Sequence, residues 1–271
     1  MCCLYVRAAD VSHSAITGKE LIMAVVIPRQ EYFDRIAKIQ PLIRAAGLDA
    51  VLAHGHEADC ANVRYFSDYW PTFESAGVLV PAEGEAILLV GPESEEYAKG
   101  RSVLPNIYKM VEYREGADPE YPGIAVATFK EVFDKALKGK PLQKLGLIGH
   151  TITPLPVYES LKATFPNAKI VKADDVIRQL RSFKSENELA CMRKAYAISE
   201  QAIECIFAEI KPGMTELQVA GIAQREIYKN GGEYEGHALY VFCGKKTCNA
   251  ISRPTHNVIV PNEVIQLGIG A

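Results

Sequence analysis

The sequence predicts an α/β domain over residues 28–173, followed over 174–271 by an α+β segment in which helices come first and strands after. Three observations lead there. Up to about residue 173, short runs of Val, Ile and Leu alternate with stretches of helical period, the pattern of helices layered on a mostly parallel sheet. Residues 174–230 then carry almost no strand signal, and strand-like runs return only after residue 236. The chain has 271 residues and 48% hydrophobic content, ample for buried cores.

In the first domain, Phe33, Ile36, Ile39, Leu42, Ile43 and Ala46 recur at three- and four-residue spacing. They predict an amphipathic helix over 30–46, closed by Gly47 in the position after its end. Residues 49–53 follow as a short buried strand, and residues 63–66 as another short element. The apolar runs 76–80 and 86–90 are joined by Pro81-Ala82-Glu83-Gly84-Glu85 and read as a hairpin. A helix starts at Ser94, with Ser94 or Glu93 near its cap. Strands at 107–111, 145–149 and 168–171 alternate with helices at 124–137 and 156–165, with right-handed crossovers expected.

The division is expected near 173–185. Val176, Ile177, Leu180 and Phe183 form one apolar stripe. Ser185 and Glu188 have the spacing of a capping box that opens a long helix through Ile206. Lys211-Pro212-Gly213-Met214 ends that helix, Thr215 caps the next one over 216–229, and Gly231-Gly232 closes it. Strands are expected at 238–242, 257–260 and 264–269.

Residues 1–22 show neither period, and Met23 offers a second start. Residues 1–27 are therefore expected to be an N-terminal extension, of which proteases trim residues 1–22 early. The longest apolar run, residues 21–27, falls far short of the roughly 18 residues of a membrane span and lacks a signal-peptide cleavage pattern. It reads as a short strand or an extended lead-in. The net charge is −3 and no Lys/Arg run exceeds Lys245-Lys246, which argues against nucleic acid. The seven cysteines, odd in number and without CxxC spacing, point to reduced thiols and a cytoplasmic protein. Cys243 and Cys248 with His237 or His256 make a weak zinc pattern, and packed thiols are the preferred reading. Neither GxGxxG nor GxxxxGK[ST] occurs, so no nucleotide cradle is expected.

Four stretches share one resemblance. They are Asn62-Val63-Arg64-Tyr65-Phe66, Leu180-Arg181-Ser182-Phe183-Lys184-Ser185-Glu186-Asn187-Glu188, Lys211-Pro212-Gly213-Met214-Thr215-Glu216 and Arg253-Pro254-Thr255-His256-Asn257. In order and spacing the chain resembles the Xaa-Pro aminopeptidase, prolidase and creatinase family over roughly residues 30–271. The resemblance implies a creatinase-like N-terminal α/β domain and then the first part of a pita-bread domain. It also implies a homodimer, and in active peptidases two divalent metals, manganese, cobalt or zinc, held by two Asp, one His and two Glu around a bridging water.

Two departures bear on function. The family's first metal Asp lies in a strand written V-x-x-D-x-G, and Gly268 stands at its place. The other ligands of the pattern would lie beyond Ala271. In the family pattern H-x-x-P-T, the place of the assisting His is taken by Ile251, which can neither give nor take a proton. No catalytic residue, metal ligand or cofactor is therefore assigned within this chain.

The substrate-contact candidates are His237, Tyr240, Arg253 and His256. His237 lines the pocket mouth or is a plain loop histidine, the loop reading being preferred. Tyr240 and Phe242 alternate on one strand as a pocket wall or as core, core packing being preferred. Arg253 is a carboxylate clamp or a surface ion pair. His256 substitutes for the missing His or is a loop residue. His54, His56, Glu57 and Asp59 suggest a metal cluster at first sight, with hydrogen bonding or exposure as the preferred reading. Two functional readings follow: a peptidase-family protein that hydrolyses X-Pro bonds, and a non-catalytic relative that keeps a binding or dimerisation role. The second is preferred because of Gly268 and Ile251. A metal-independent amidinohydrolase like creatinase is a further alternative. The expected partners are a second copy and a proline-containing peptide or small amide, with no nucleic acid and no membrane.

Overall fold

A computed structural model describes residues 25–271, so the expectations for residues 1–24 lie outside the described residues. Two compact units are present, Ile27–Ser185 and one built on Glu186–Ala271.

The first unit opens with α1 (Arg29–Ala45), which buries Tyr32, Ile36, Ile39 and Ile43. Gly47 follows at φ +64, a conformation that a side chain would strain. Then come β1 (Ala50–His56), α2 (Ala61–Ser67), β2 (Ser75–Pro81), β3 (Ile87–Val90), α3 (Glu95–Arg101) and β4 (Ile107–Lys109). After these follow α4 (Phe129–Ala136), β5 (Lys144–Ile148), α5 (Leu155–Thr164), β6 (Lys169–Lys172) and α6 (Asp174–Arg181). One six-stranded sheet runs in the order β4-β3-β2-β1-β5-β6. Both faces are covered, which is why β1 and β2 read as unbroken apolar runs. Val51, Ala53, Val78 and Val80 pack with Ile36, Ile43, Val63 and Phe66. On the opposite face Leu52, Leu79, Leu145 and Leu147 pack with Phe129, Val132, Phe133, Val157 and Leu161.

The expected α/β class holds, but the sheet is mixed. The pairs β1–β5, β5–β6 and β3–β4 are parallel, while β1–β2 and β2–β3 are antiparallel. The short connection between β2 and β3 permits only an antiparallel pair. Residues 63–66 turn out to be helical, within α2, which ends at a left-handed Asp68 with φ 57. The helix expected over 124–137 begins only at Phe129. There the Thr128 hydroxyl accepts from the Glu131 N–H, and the Glu131 carboxylate accepts from the Thr128 N–H at 2.8 Å. The residues before it are held otherwise, with the Ala127 N–H on the Lys109 carbonyl at 2.8 Å.

The placement of α6 puts the division at the late end of the expected span of 173–185. Val176 and Ile177 are buried in the same cluster as Ile36 and Ile43, and the Asp174 carboxylate accepts from the Gly149 N–H at 2.7 Å. The first unit therefore runs to Ser185 and takes in α6, which the sequence pattern assigns to the second segment. Phe183 leaves the stripe and stands 87% exposed.

The second unit has α7 (Glu186–Glu209), α8 (Glu216–Lys229), β7 (Tyr240–Cys243) and β8 (Ile265–Gly268). The strands are antiparallel, with Tyr240 opposite Gly268 and Phe242 opposite Gln266. Ala202, Ile206, Val219, Ile222, Ala223, Val241, Cys243 and Ile259 form its core. Thr215 caps α8 in a capping box with Gln218. Residues 257–260 do not join the sheet. They bridge to the α7–α8 connection, with the Gly213 N–H on the Ile259 carbonyl and the Ile259 N–H on the Met214 carbonyl, both at 2.9 Å.

Gly77 carries a testable packing constraint. A Cβ built there would sit 2.4 Å from the Tyr113 hydroxyl, which meets His54 Nε2 at 3.2 Å. Gly77→Ala is expected to destabilise by about 1–3 kcal/mol, the usual cost of overpacking. Urea unfolding checks this, and an unchanged midpoint would contradict it.

Candidate functional site

The β7–β8 hairpin has two faces, because strand side chains alternate. Val241 and Cys243 enter the core with Val219 and Ala223 of α8. Tyr240 and Phe242 lie on the other face, with ring centroids 5.0 Å apart. His237 stands edge-on to Tyr240 at 5.6 Å. Beneath these rings are two glycines. A Cβ at Gly268 would lie 3.1 Å from the Tyr240 Cβ, and one at Gly270 would lie 2.9 Å from His237 Cδ2. The face thus joins two of the four expected contact residues, His237 and Tyr240, over a glycine floor. Phe242 itself is fully buried, so it contributes packing, not open wall.

Arg253 and His256 are exposed on the loop between the strands. Arg253 joins the network through its main chain: its carbonyl accepts from Lys246 Nζ at 3.3 Å, and Lys246 Nζ lies 5.6 Å from the Phe242 ring centre. Ile251, at the place of the family's assisting His, is 83% exposed.

Sequence reasoning passed over the strongest polar centre of this unit, the buried carboxylate of Glu216 at the first turn of α8. One oxygen accepts from the Cys243 N–H at 3.1 Å. The other accepts from the Thr255 N–H at 2.8 Å, the Thr255 hydroxyl at 2.9 Å and Lys246 Nζ. Asn257 Nδ2 adds a longer contact at 3.3 Å. Burial alone would push this carboxyl up. Donation by Lys246, Cys243 and Thr255 outweighs it and holds the group at about 2. The Cys243 thiol is pushed up by burial and by the facing Glu216 charge. Its Sγ lies 3.6 Å from Glu216 Oε1, a packed thiol next to an acceptor. Both halves of this network lie inside quoted motifs, Thr215-Glu216 and Pro254-Thr255, and their pairing was the available signal.

In the first unit, His54 is buried with one ring nitrogen on the Tyr113 hydroxyl and the other on the Thr153 hydroxyl at 3.1 Å. Burial pushes it down to about 3, so it is neutral at physiological pH. His56 Nδ1 accepts from the Ala58 N–H at 3.2 Å. Among the described residues, no three His, Cys, Asp or Glu side chains stand close enough together to hold a metal ion.

A dinuclear metal centre does not fit the residues present on the β7–β8 face. Gly268, the position that the resemblance gives to the first ligand, offers no donor atom, and a Cβ there would lie 3.1 Å from the Tyr240 Cβ, a tight contact.

Residues 35–183 match the Creatinase/Prolidase N-terminal domain, and residues 190–271 match Metallopeptidase family M24. The chain is similar to the Xaa-Pro dipeptidase of Pyrococcus horikoshii, with 28% identity over 241 residues, 88% of this chain and 60% of that protein. It is 23% identical over 241 residues to a putative dipeptidase of Bacillus subtilis, 88% of this chain and 61% of that one. The crystal structure of the prolidase from Pyrococcus horikoshii OT3 aligns with a TM-score of 0.66 at 25% identity, over 87% of this chain and 60% of that chain. The X-Pro aminopeptidase from Thermotoga maritima aligns with a TM-score of 0.68 at 21% identity, over 87% and 61%. The chain spans about 60% of the length of the curated relatives it matches.

Removing the Glu216 carboxylate strips five N–H and O–H donors on four residues of their acceptor. Glu216→Ala is expected to cost about 3 kcal/mol, the lower end for breaking a buried pair, because Lys246 keeps some solvent. The folded value of Glu216 lies below the ordinary one. Its contribution is therefore complete above about pH 4.5 and is lost as pH falls toward 2. Chemical unfolding from pH 3 to 7 checks both statements. A Glu216→Gln variant with the acid dependence of the parent would contradict the second.

Proposed function

The chain belongs to the creatinase/prolidase family, with a creatinase-like N-terminal domain and the start of a metallopeptidase-type pita-bread domain, and on that premise we propose that it is a non-catalytic form of this Xaa-Pro peptidase scaffold. The observation that carries the reading is Gly268 beneath Tyr240. At the place of the first metal ligand this chain has no side chain, and an aromatic ring fills the space above. The face offers an imidazole edge, a phenol and half-buried glycine backbone, which suits contact with an amide or a proline ring and supplies no activated water. His237 and Tyr240 are its contact residues. The occupant is a proline-containing peptide or a small amide, and the protein works as a homodimer.

A metal-independent hydrolysis of the creatinase kind requires an acid/base His, and Ile251 stands at that place, 83% exposed and without a titratable group. That alternative therefore receives no support from these residues.

The test uses the purified chain after dialysis against manganese and then buffer. The expected outcome is far less than the two metals per chain of a dinuclear site, and no manganese-dependent release of proline from Gly-Pro. Stoichiometric metal together with manganese-dependent turnover that copurifies with the chain through two columns would contradict the proposal.

A further inference from the structure

Outside the β7–β8 face, the first unit holds a second buried carboxylate whose surroundings are the opposite of those of Glu216. Glu74 immediately precedes β2 and is 4% exposed, yet no hydrogen bond of good geometry reaches either carboxylate oxygen: its nearest donors are the Ser94 hydroxyl and the Glu93 N–H, and it forms no ion pair among the described residues. The carboxylate rests directly on the Gly91 backbone: a Cβ built on Gly91 would lie 2.1 Å from Glu74 Oε1. Gly91 has an ordinary extended backbone, φ −69, so the glycine is needed for space, not for conformation. Beside it is the buried Tyr69 hydroxyl, which shares Ser94 as its neighbour.

The loop that Glu74 anchors is strained. It is bounded by two left-handed non-glycine residues, Asp68 at φ 57 and Phe73 at φ 61. The Glu74 N–H donates to the Thr72 carbonyl at 2.7 Å, which makes 72–74 a γ-turn of the rare, strained hand. At its tip Phe73 is 72% exposed. Among the loop's other ties, the Glu57 carbonyl accepts from the Trp70 indole N–H at 2.9 Å and the Glu57 carboxylate from the Phe73 N–H at 3.3 Å, while Arg64 pairs with Asp68 and stacks over the Trp70 ring.

We propose that protonated Glu74 is a latch that holds the aromatic loop 68–74 in its strained form, and that ionisation of Glu74 releases the loop. A neutral carboxyl can stay buried on the Gly91 backbone, whereas a carboxylate there has no cation and only two weak donors to compensate it. Glu93 follows Gly91, Glu115 follows β4, and both raise Glu74, as burial does most strongly. The Ser94 hydroxyl and the Glu93 N–H oppose this and are outweighed. The phenols Tyr69 and Tyr121 complete the surroundings, and both are themselves raised. Because the folded value lies above the unfolded one, the latch is complete below the ordinary carboxylate value and is lost as pH rises through the folded value.

Trp70 is the chain's single tryptophan, so its emission reads this loop directly. In the full chain we expect one titration of Trp70 emission with a midpoint above 4.5, beyond which the latched-to-released ratio falls about tenfold per pH unit. Glu74→Gln should hold the low-pH spectrum at every pH and unfold at a higher temperature than the parent at pH 8, with the difference shrinking toward pH 5. Glu57→Gln should keep the transition. Gly91→Ala, which evicts the side chain, should show the released spectrum throughout and faster cleavage within 68–74. A transition unchanged in Glu74→Gln overturns the proposal, and so does one lost in Glu57→Gln instead. A flat parent titration, with Glu74→Gln no more stable at pH 8, overturns it as well.

Discussion

A buried carboxylate must find donors, and Glu216 finds them on three separate stretches of chain. The Cys243 amide comes from β7, Lys246 from the turn after it, and Thr255 from the loop that returns toward β8. The carboxylate starts α8, so one side chain fixes the helix N-terminus, the exit of β7 and the path of the 253–257 loop together. The bridge from residues 257–260 to the α7–α8 connection follows from that path, and so does the position of β8 opposite β7. Packing of Val241, Cys243 and Ile259 against α8 supplies the apolar part of the same arrangement. The glycine-floored face is thus a consequence of Glu216, which lies on the other side of the hairpin.

Much of this was legible where the signal is local. The spacing Phe33, Ile36, Ile39, Ile43 with Gly47 gave α1, and Thr215 before Glu216 gave the cap of α8. What depends on distant partners was not. The antiparallel β1–β2 pair leaves no local trace in strands that are buried on both faces. Residues 124–127 have helical spacing, but Lys109 claims the Ala127 amide. The stripe on α6 is real, yet nothing in its own sequence says that it faces the first core. Within the candidate site, alternation and neighbourhood suggested His237 and Tyr240, and the structure brings their rings together at 5.6 Å. Arg253 and His256 were suggested by sequence proximity alone, and the structure leaves both side chains in solvent. Glu216 escaped because its partners lie 27 to 41 residues away.

Glu216 and Glu74 show how environment, not residue type, sets the chemistry of an acid. The first is ringed by an ammonium, two amides and a hydroxyl, and stays ionised far into acid. The second is raised chiefly by burial and by the nearby acids Glu93 and Glu115, which outweigh the Ser94 hydroxyl and the Glu93 N–H. Environment also bears on Gly268, where a Cβ would lie 3.1 Å from the Tyr240 Cβ, so that a larger side chain would need Tyr240 to give by a few tenths of an ångström.

The central claim is that the Glu216 carboxylate organises the β7–β8 unit, and amide hydrogen exchange at its own donors tests it most directly. The Cys243 and Thr255 amides should exchange as slowly as the core of α8 in the parent. In Glu216→Gln both should lose protection together with β8, while Leu145 and Leu147 of the first unit keep theirs. Protection of Cys243 and Thr255 that survives the substitution, or that is absent from the parent, would contradict the account.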